Sequence, residues 1–218
     1  MLQVNELIGF GVANEGLVID YLQTDNSGVI NSTVTLDFNN QNFGSENPGR
    51  YLIAIFNVAR NLGTPLLSTS IGGVAATTIV QNDDVSMLTI ISMAKVATGS
   101  SGTVSISFNG PEDASIALSL YRTTGLQSAS AFDTDTNDDD VVNMSINVEN
   151  GGFVIAAATM VSGAISSSGV NEDFEGTLTS VSVSGVVGSA INLAAETGRA
   201  ISFDGASGNA AGVCASFR

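Results

Sequence analysis

The chain has 218 residues, with no histidine, no tryptophan, one cysteine, and six Lys and Arg against 21 Asp and Glu, giving a formal net charge of -15. These counts exclude Ser-His-Asp and Cys-His catalysis, an imidazole proton shuttle, a His-containing zinc site, an intrachain disulfide and a four-thiolate metal site. They also set the chain against nucleic acid, because phosphate repels so acidic a protein and the cations Arg50, Arg60, Lys95, Arg122, Arg199 and Arg218 are scattered.

The apolar fraction of 44% is enough for a core, while only 12% of residues are charged. The polar remainder is mostly Ser, Thr, Asn and Gly, which suits hydroxyl-faced strands joined by turns better than amphipathic helices. Residues 1–16 (MLQVNELIGFGVANEG) lack a basic leader, a continuous apolar run and a small-residue cleavage site, so no secretory signal is expected. The weakly polar stretch 151–165 is interrupted by Thr159, Ser162 and Gly163 and is too short to span a bilayer. The expectation is a soluble protein made in the cytoplasm and left there or exported without a Sec signal, with no membrane partner. Residues 1–27 are expected to be an N-terminal arm or edge strands able to add to a neighbour's sheet, and 28–218 a single domain.

From there, period-two alternation dominates. The segment 33–38 (TVTLDF) places Val34, Leu36 and Phe38 on one face. After a turn at Asn47-Pro48-Gly49, the run 51–59 (YLIAIFNVA) is apolar on both faces, which predicts a central strand covered on both sides or buried against another subunit. Gly72-Gly73 joins STSI to VAATTIV as a two-residue hairpin. In 87–96 (MLTIISMAKV) the alternation slips at Ile90 and Ile91, the pattern expected of a β-bulge. Past a short loop at 99–102 come 103–108 (TVSISF), a turn at Asn109-Gly110-Pro111, and 115–120 (SIALSL). Later strands are expected at 143–148 (NMSINV), with Met144, Ile146 and Val148 inward, at 153–160 (FVIAAATM), apolar on both faces, and at 180–184 (SVSVS). About a dozen strands with helix confined to a turn or two predict an all-β, antiparallel, jelly-roll-like β-sandwich. The sharpest composition change is the acidic run 133–140 (DTDTNDDD), which marks 127–140 as the place for any sub-boundary. Apart from 153–160 the strands after it are poor in large side chains, so the second half is not expected to hold a core of its own.

Asp133, Asp135, Asn137 and Asp139 match the first oxygen-donor positions of a calcium loop. The match then fails, with Asp138 where glycine is needed and Met144 where a bidentate Glu is required. An irregular calcium site is the candidate they leave, and a mobile, solvated acidic loop is the preferred reading. Glu112 with Asp113, and Glu172 with Asp173 and Glu175, are the candidates for paired-carboxylate hydrolysis, but their turn-like, polar contexts give no reason for a raised pKa. Ser92 and Lys95, three apart on a strand, point to opposite faces and cannot form a dyad. Cys214 reads as a small buried hydrophobe. Arg50, Arg60 and Arg122 border strands, and each is expected to pair with a carboxylate or to cross a subunit interface. No catalytic residue and no cofactor is expected.

Four segments in this order, RYLIAIFNVAR (50–60), SIGGVAATTIV (70–80), ATGSSGTVSISFNG (97–110) and ASIALSLYRTTGL (114–126), together with GGFVIAAATM (151–160) and AAGVCASFR (210–218), resemble a β-sandwich type found among virion proteins of tailed bacteriophages and gene transfer agents. The resemblance covers most of 28–218 and implies a structural protein of the particle surface: a capsid decoration (cement) protein, a head fibre or a tail appendage. It implies as partners the major capsid protein or another virion protein, and a homo-oligomer, a trimer being favoured. The competing expectation is a tail or head-fibre module that binds a host-surface receptor or glycan through loops at 39–49 and 133–140.

Overall fold

Long hydroxyl-rich strands build the first half. The structure, a computed structural model, describes residues 16–84, 86–161, 163–179, 181–205 and 208–218. Most of the expected arm, residues 1–15, therefore lies outside the described residues. From Val18 onward the stretch is the start of an edge strand paired to its own chain. Six strands, β1 (Val18–Asn42), β2 (Tyr51–Arg60), β3 (Leu66–Ile71), β4 (Val74–Asp84), β5 (Met87–Lys95) and β6 (Ser101–Thr124), form one antiparallel sheet in the order β1-β6-β2-β5-β4-β3. A further pairing of β6 with β3 closes the sheet into a small barrel.

Closure depends on the length of β6. Its first part, 104–108, lies between β1 and β3, and its second, 114–124, between β1 and β2. Asn109-Gly110-Pro111, expected as a turn, is instead the corner where β6 changes partner without ending. Thr33 pairs with Glu112 and Thr35 with Ser107, so the residues between bulge out of the ladder. Pro111, having no N–H to donate, is tolerated there. The same shift displaces Val34, which is 47% exposed rather than inward, while Phe38 is buried as expected. Gly72 and Gly73 form the predicted hairpin, with φ of 60° and 77°, the left-handed pair a type I′ turn requires.

The predicted slip at Ile90 and Ile91 is not a bulge. The β2–β5 register runs unbroken from Tyr51 opposite Lys95 to Ala59 opposite Met87. Ile90 faces the barrel core and Ile91 the other half of the chain, so two apolar neighbours mark a strand buried on both faces. The irregularity lies on the facing strand, between Thr78 and Val80 of β4.

The second half comprises β7 (Asp133–Asn137), β8 (Val141–Val148), β9 (Gly152–Val161), β10 (Ser166–Ser168), β11 (Asn171–Thr177), β12 (Val183–Leu193), β13 (Glu196–Asp204) and β14 (Ala210–Phe217). They make a five-stranded sheet, β11-β12-β9-β14-β7, over a three-stranded one, β10-β13-β8. Of the expected strand at 180–184, residue 180 lies outside the described residues, 181–182 form a bend, and β12 begins at Val183. The described residues contain fourteen strands and no helix: an all-β antiparallel sandwich with a small barrel in its first half.

Three apolar clusters hold the layers. The barrel core contains Phe38, Phe56, Phe108, Leu118 and Leu120. The second half, contrary to expectation, has a core between its two sheets, where Met144, Ile146, Ile201 and Phe203 meet Ala156, Ala158, Met160 and Cys214. Small residues make it possible by bringing the sheets close: a Cβ on Gly212 would lie 2.2 Å from Val142 Cγ1. The third cluster joins the halves, with Ile53, Ile55, Ile91, Met93 and Tyr121 packed on Phe153, Ile155, Ala157, Val187, Val213 and Phe217. The two runs predicted as apolar on both faces, β2 and β9, thus cover each other within one chain. Each isoleucine buried there contributes about 1.5–3 kcal/mol.

Candidate functional site

The most fully coordinated group is a cation without a carboxylate. Arg50, at 0% exposure, donates from Nε to Val96 O (2.6 Å), from Nη1 to the carbonyls of Phe43 (3.0 Å), Gly44 (3.2 Å) and Ser45 (3.0 Å), and from Nη2 to those of Thr98 (2.9 Å) and Gly99 (2.7 Å). It ties the loop before β2 to the loop before β6. The expected carboxylate partner is wrong for Arg50, because the guanidinium plane fits converging carbonyls of two loops; burial lowers its pKa, and the charge of nearby Glu46 only partly offsets that. Arg60 and Arg122 do pair with carboxylates, of Asp83 and Asp20 respectively.

The candidate acid pairs are dispersed into structural work. Glu112 is buried at the β6 corner and accepts N–H bonds from Leu62 (2.8 Å), Thr64 (2.8 Å) and Asp113 (3.0 Å). Burial raises its carboxyl, but those donors outweigh burial and leave it below the ordinary value. Its neighbour Asp113 accepts from Ser32 N at 2.7 Å. On β11, Asp173 takes the hydroxyl protons of Tyr121 (2.6 Å) and Ser189 (2.7 Å), clamping the seam between the halves. Burial and the adjacent carboxylate hold the Tyr121 hydroxyl well above its usual range. Glu175 accepts from Ile165 N (2.8 Å), and Glu172 is raised by partial burial and by the charge of Glu175. The expectation of no raised carboxyl is corrected at Glu172.

The acidic run is not a loop through its first half. Residues 133–137 are β7, paired to β14 along one edge. Their alternate side chains face β8 and stand in for a missing strand. Asp133 Oδ2 accepts from Asn147 N (2.8 Å), Asp135 Oδ2 from Ser145 N (2.8 Å), and Asn137 Oδ1 from Asn143 N (3.2 Å). The other oxygens, Asp133 Oδ1 and Asp135 Oδ1, accept from Thr134 N (3.0 Å) and Thr136 N (2.9 Å). Asp139 sits past the strand and accepts from Asn137 Nδ2 at 2.9 Å. The D-x-D-x-N spacing that resembled a calcium loop is thus the period of a strand whose acceptors bridge to alternate N–H groups of its neighbour. Among the described residues no three Asp, Glu or Cys side chains converge as metal donors.

Ser92 and Lys95 diverge as expected. The Thr69 hydroxyl donates to Ser92 Oγ (3.0 Å) in the interior, while Lys95 is exposed with Nζ 5.9 Å from the Tyr51 ring centroid. Cys214 is buried in the second-half core, and burial, then the charges of Asp135 and Asp133, push its thiol up to about 12.

Two features escaped sequence reasoning. One is a buried polar knot in the seam, where Asn57 Nδ2 donates to Ala158 O (2.8 Å), Thr89 donates to Ala211 O (2.6 Å), and the Thr89 and Thr159 hydroxyls meet at 2.8 Å. The other is a cleft of about 290 Å³ at the end of the seam, lined among others by Val29, Asn31, Asn61, Asp113, Ser115 and Val181. No local pattern announces either, since their residues come from strands far apart in sequence. Comparison of the chain with family models, with curated proteins and with solved structures gives no match.

Proposed function

We propose that the protein is a non-enzymatic structural component of a phage virion, a capsid decoration (cement) protein stabilising the head exterior. The observation that carries this reading is the fate of the positive charge. Arg50 is caged by carbonyls, and Arg60, Arg122, Arg199 and Arg218 are each paired with a carboxylate of the chain itself. Lys95 stands over Tyr51. A net charge of -15 is then left facing solvent with its few cations already engaged. Such a surface repels nucleic acid and suits a shell exterior that must stay dissolved and off the genome. The resemblance of residues 28–218 to virion β-sandwiches supports the same reading, as does a fold whose seam, loops and corner are tied by hydrogen-bonded side chains.

The second reading is a tail or head-fibre module that binds a host-surface receptor or glycan, and the seam cleft is the feature that favours it. The loops expected to serve it are shorter than the sequence indicated, because 39–42 and 133–137 belong to strands. Band intensities from purified particles separate the readings. Cement gives hundreds of copies per particle and rebinds to stripped capsids, a receptor module gives few copies and adheres to host cells, and absence from any particle overturns both.

A further inference from the structure

Phe132 stands apart from the other phenylalanines. Among the described residues the rest are buried or half-buried, while Phe132 is 51% exposed. Its backbone is nonetheless held in place. Phe132 N donates to Ser216 O (2.8 Å), and Gln127 N, at the other end of the same connection, donates to Arg218 O (2.8 Å). Between them Ser130 N donates to Ser128 Oγ (3.0 Å), and Ala131 packs on the cluster that joins the halves. A ring presented on backbone so tied loses little freedom when something stacks on it.

Phe132 is common to two clefts. One, of about 370 Å³, is lined also by Asn147, Val148, Ala195, Glu196 and Thr197; the other, of about 380 Å³, is lined by Gln127, Ser128, Glu149 and Arg218 among others. Both volumes fall in the range of clefts that hold small ligands, about 300–1,000 Å³. The polar groups around the ring are mostly uncharged and unengaged. Asn147 Oδ1 accepts from Gly198 N (3.1 Å), which leaves its two Nδ2 protons without a partner among the described residues. The cations, in contrast, are taken: Arg218 Nη1 lies 3.4 Å from Glu149 Oε2, and Arg199 Nη1 lies 3.0 Å from Glu196 Oε2.

These features select a class of ligand. An anion finds no free cation here and meets a chain of net charge -15. A lipid or an apolar peptide finds one ring and little other apolar surface. A neutral sugar matches both parts of the site. The C–H groups on one face of a pyranose rest against the electron-rich face of an aromatic ring, while its hydroxyls accept from amide N–H groups and donate to carboxylate oxygens.

We propose that Phe132 is the stacking platform of a binding site for a neutral glycan, with Asn147, Glu196 and Thr197 in one cleft and Gln127 and Glu149 in the other meeting the sugar hydroxyls. Two clefts that share one ring suit consecutive units of an oligosaccharide. The site rests on the second reading above, a module for a host-surface glycan, and gives that reading a ligand class and a place outside the seam cleft.

The full-length protein is tested on a printed panel of neutral oligosaccharides of glucose, mannose, galactose and N-acetylhexosamines, with sialylated and sulfated members beside them. Retention is expected on a neutral member and not on the anionic ones. For that glycan, Phe132→Ala is expected to lower affinity by about tenfold or more, measured by calorimetry, and Phe132→Trp to keep it. Tm is expected to be unchanged in both, because the ring is exposed. Retention of no neutral glycan overturns the proposal together with the glycan form of the second reading. Full affinity in Phe132→Ala overturns the proposal alone and returns that reading to the seam cleft. Preference for the anionic members, or a loss in Phe132→Trp as complete as in Phe132→Ala, overturns it too. Self-association that Phe132→Ala abolishes, with no glycan retained, assigns the ring to a second copy and overturns it as well.

Discussion

The two halves solve the same problem with different material. The barrel encloses Phe38, Phe43, Phe56 and Phe108 with many Leu and Ile, whereas the sandwich behind it has one Phe, Phe203, in its inner core and relies on Ala156, Ala158 and Ala210. The barrel closes through the pairing of β3 with β6, with β1 alongside β6 as its edge strand. The sandwich keeps open edges at β11 and at β8, the first lined with acidic residues and the second met by the Asp133, Asp135 and Asn137 side chains. What lets so light a core persist is its middle sheet, buried on both faces because the barrel supplies the second cover. Dependence is thus unequal: each half has a core of its own, but the sandwich core is the lighter and gains more from the shared cluster, which also covers Ile53, Ile55, Ile91 and Met93 of the barrel.

The harshest way to break that asymmetry is to remove the barrel's central tie. Arg50→Met leaves six carbonyl contacts unmade in a fully buried site and is expected to cost about 3–5 kcal/mol, with Arg50→Lys failing to rescue because an ammonium cannot reach both loops. Cys214 reports the consequence from the other half. Its buried thiol, pushed up to about 12, reacts only on opening. If the sandwich depends on the barrel, labelling of Cys214 in Arg50→Met accelerates by the full factor lost in stability, about 10²–10⁴. An unchanged labelling rate in a destabilised barrel would mean two independent folds.

A gentler variant acts on the seam itself. Gly185 of β12 lies against Asn57 of β2, and an added Cβ would sit 2.8 Å from Asn57 Cβ. Gly185→Ala is expected to cost about 1–3 kcal/mol by overpacking. It is also expected to split a single thermal transition, followed by near-ultraviolet dichroism, into two. A smaller effect is confined to the barrel corner. The Glu112 carboxyl lies lower in the folded chain than its ordinary 4.5, so on acidification the unfolded chain takes up the proton first. The stabilisation is complete above that ordinary value and is lost as the pH falls through the folded one. Glu112→Gln is expected to flatten the stability profile in that acidic window and to cost about 1–2 kcal/mol at neutral pH, measured by urea unfolding.

How much of this was legible follows from where each signal resides. Alternation within a strand is local, so Val104, Ile106 and Phe108, or Met144, Ile146 and Val148, could be assigned to a core from the sequence alone. So could the Gly72-Gly73 hairpin. The two-sided runs β2 and β9 disclosed that a second cover existed but not that each was the other's cover. Asn109-Gly110-Pro111 misled because turn formers also serve a bulge where one long strand changes partners. Ile90 and Ile91 misled because a two-sided strand and a slipped register look the same in one dimension. Arg50 was visible as a cation flanking a strand, but six carbonyls from two loops leave no mark in its own neighbourhood of sequence.

The smallest expected effect concerns the acidic strand that most resembled a binding site. Every carboxylate oxygen of Asp133 and Asp135 already accepts a backbone N–H, so calcium would have to strip the ladder that joins β7 to β8 before gaining a ligand. Calcium also needs six to eight oxygens converging on one point, whereas a strand sets Asp133, Asp135 and Asn137 in a row about 6–7 Å apart. Melting in millimolar calcium and in EGTA is therefore expected to give the same midpoint. A ligand bound at a hundred times its Kd adds about 2.7 kcal/mol, so a midpoint several degrees higher in calcium would show that the row can rearrange around an ion. The lighter half would then have a source of stability independent of the barrel, and the imbalance between the halves would narrow.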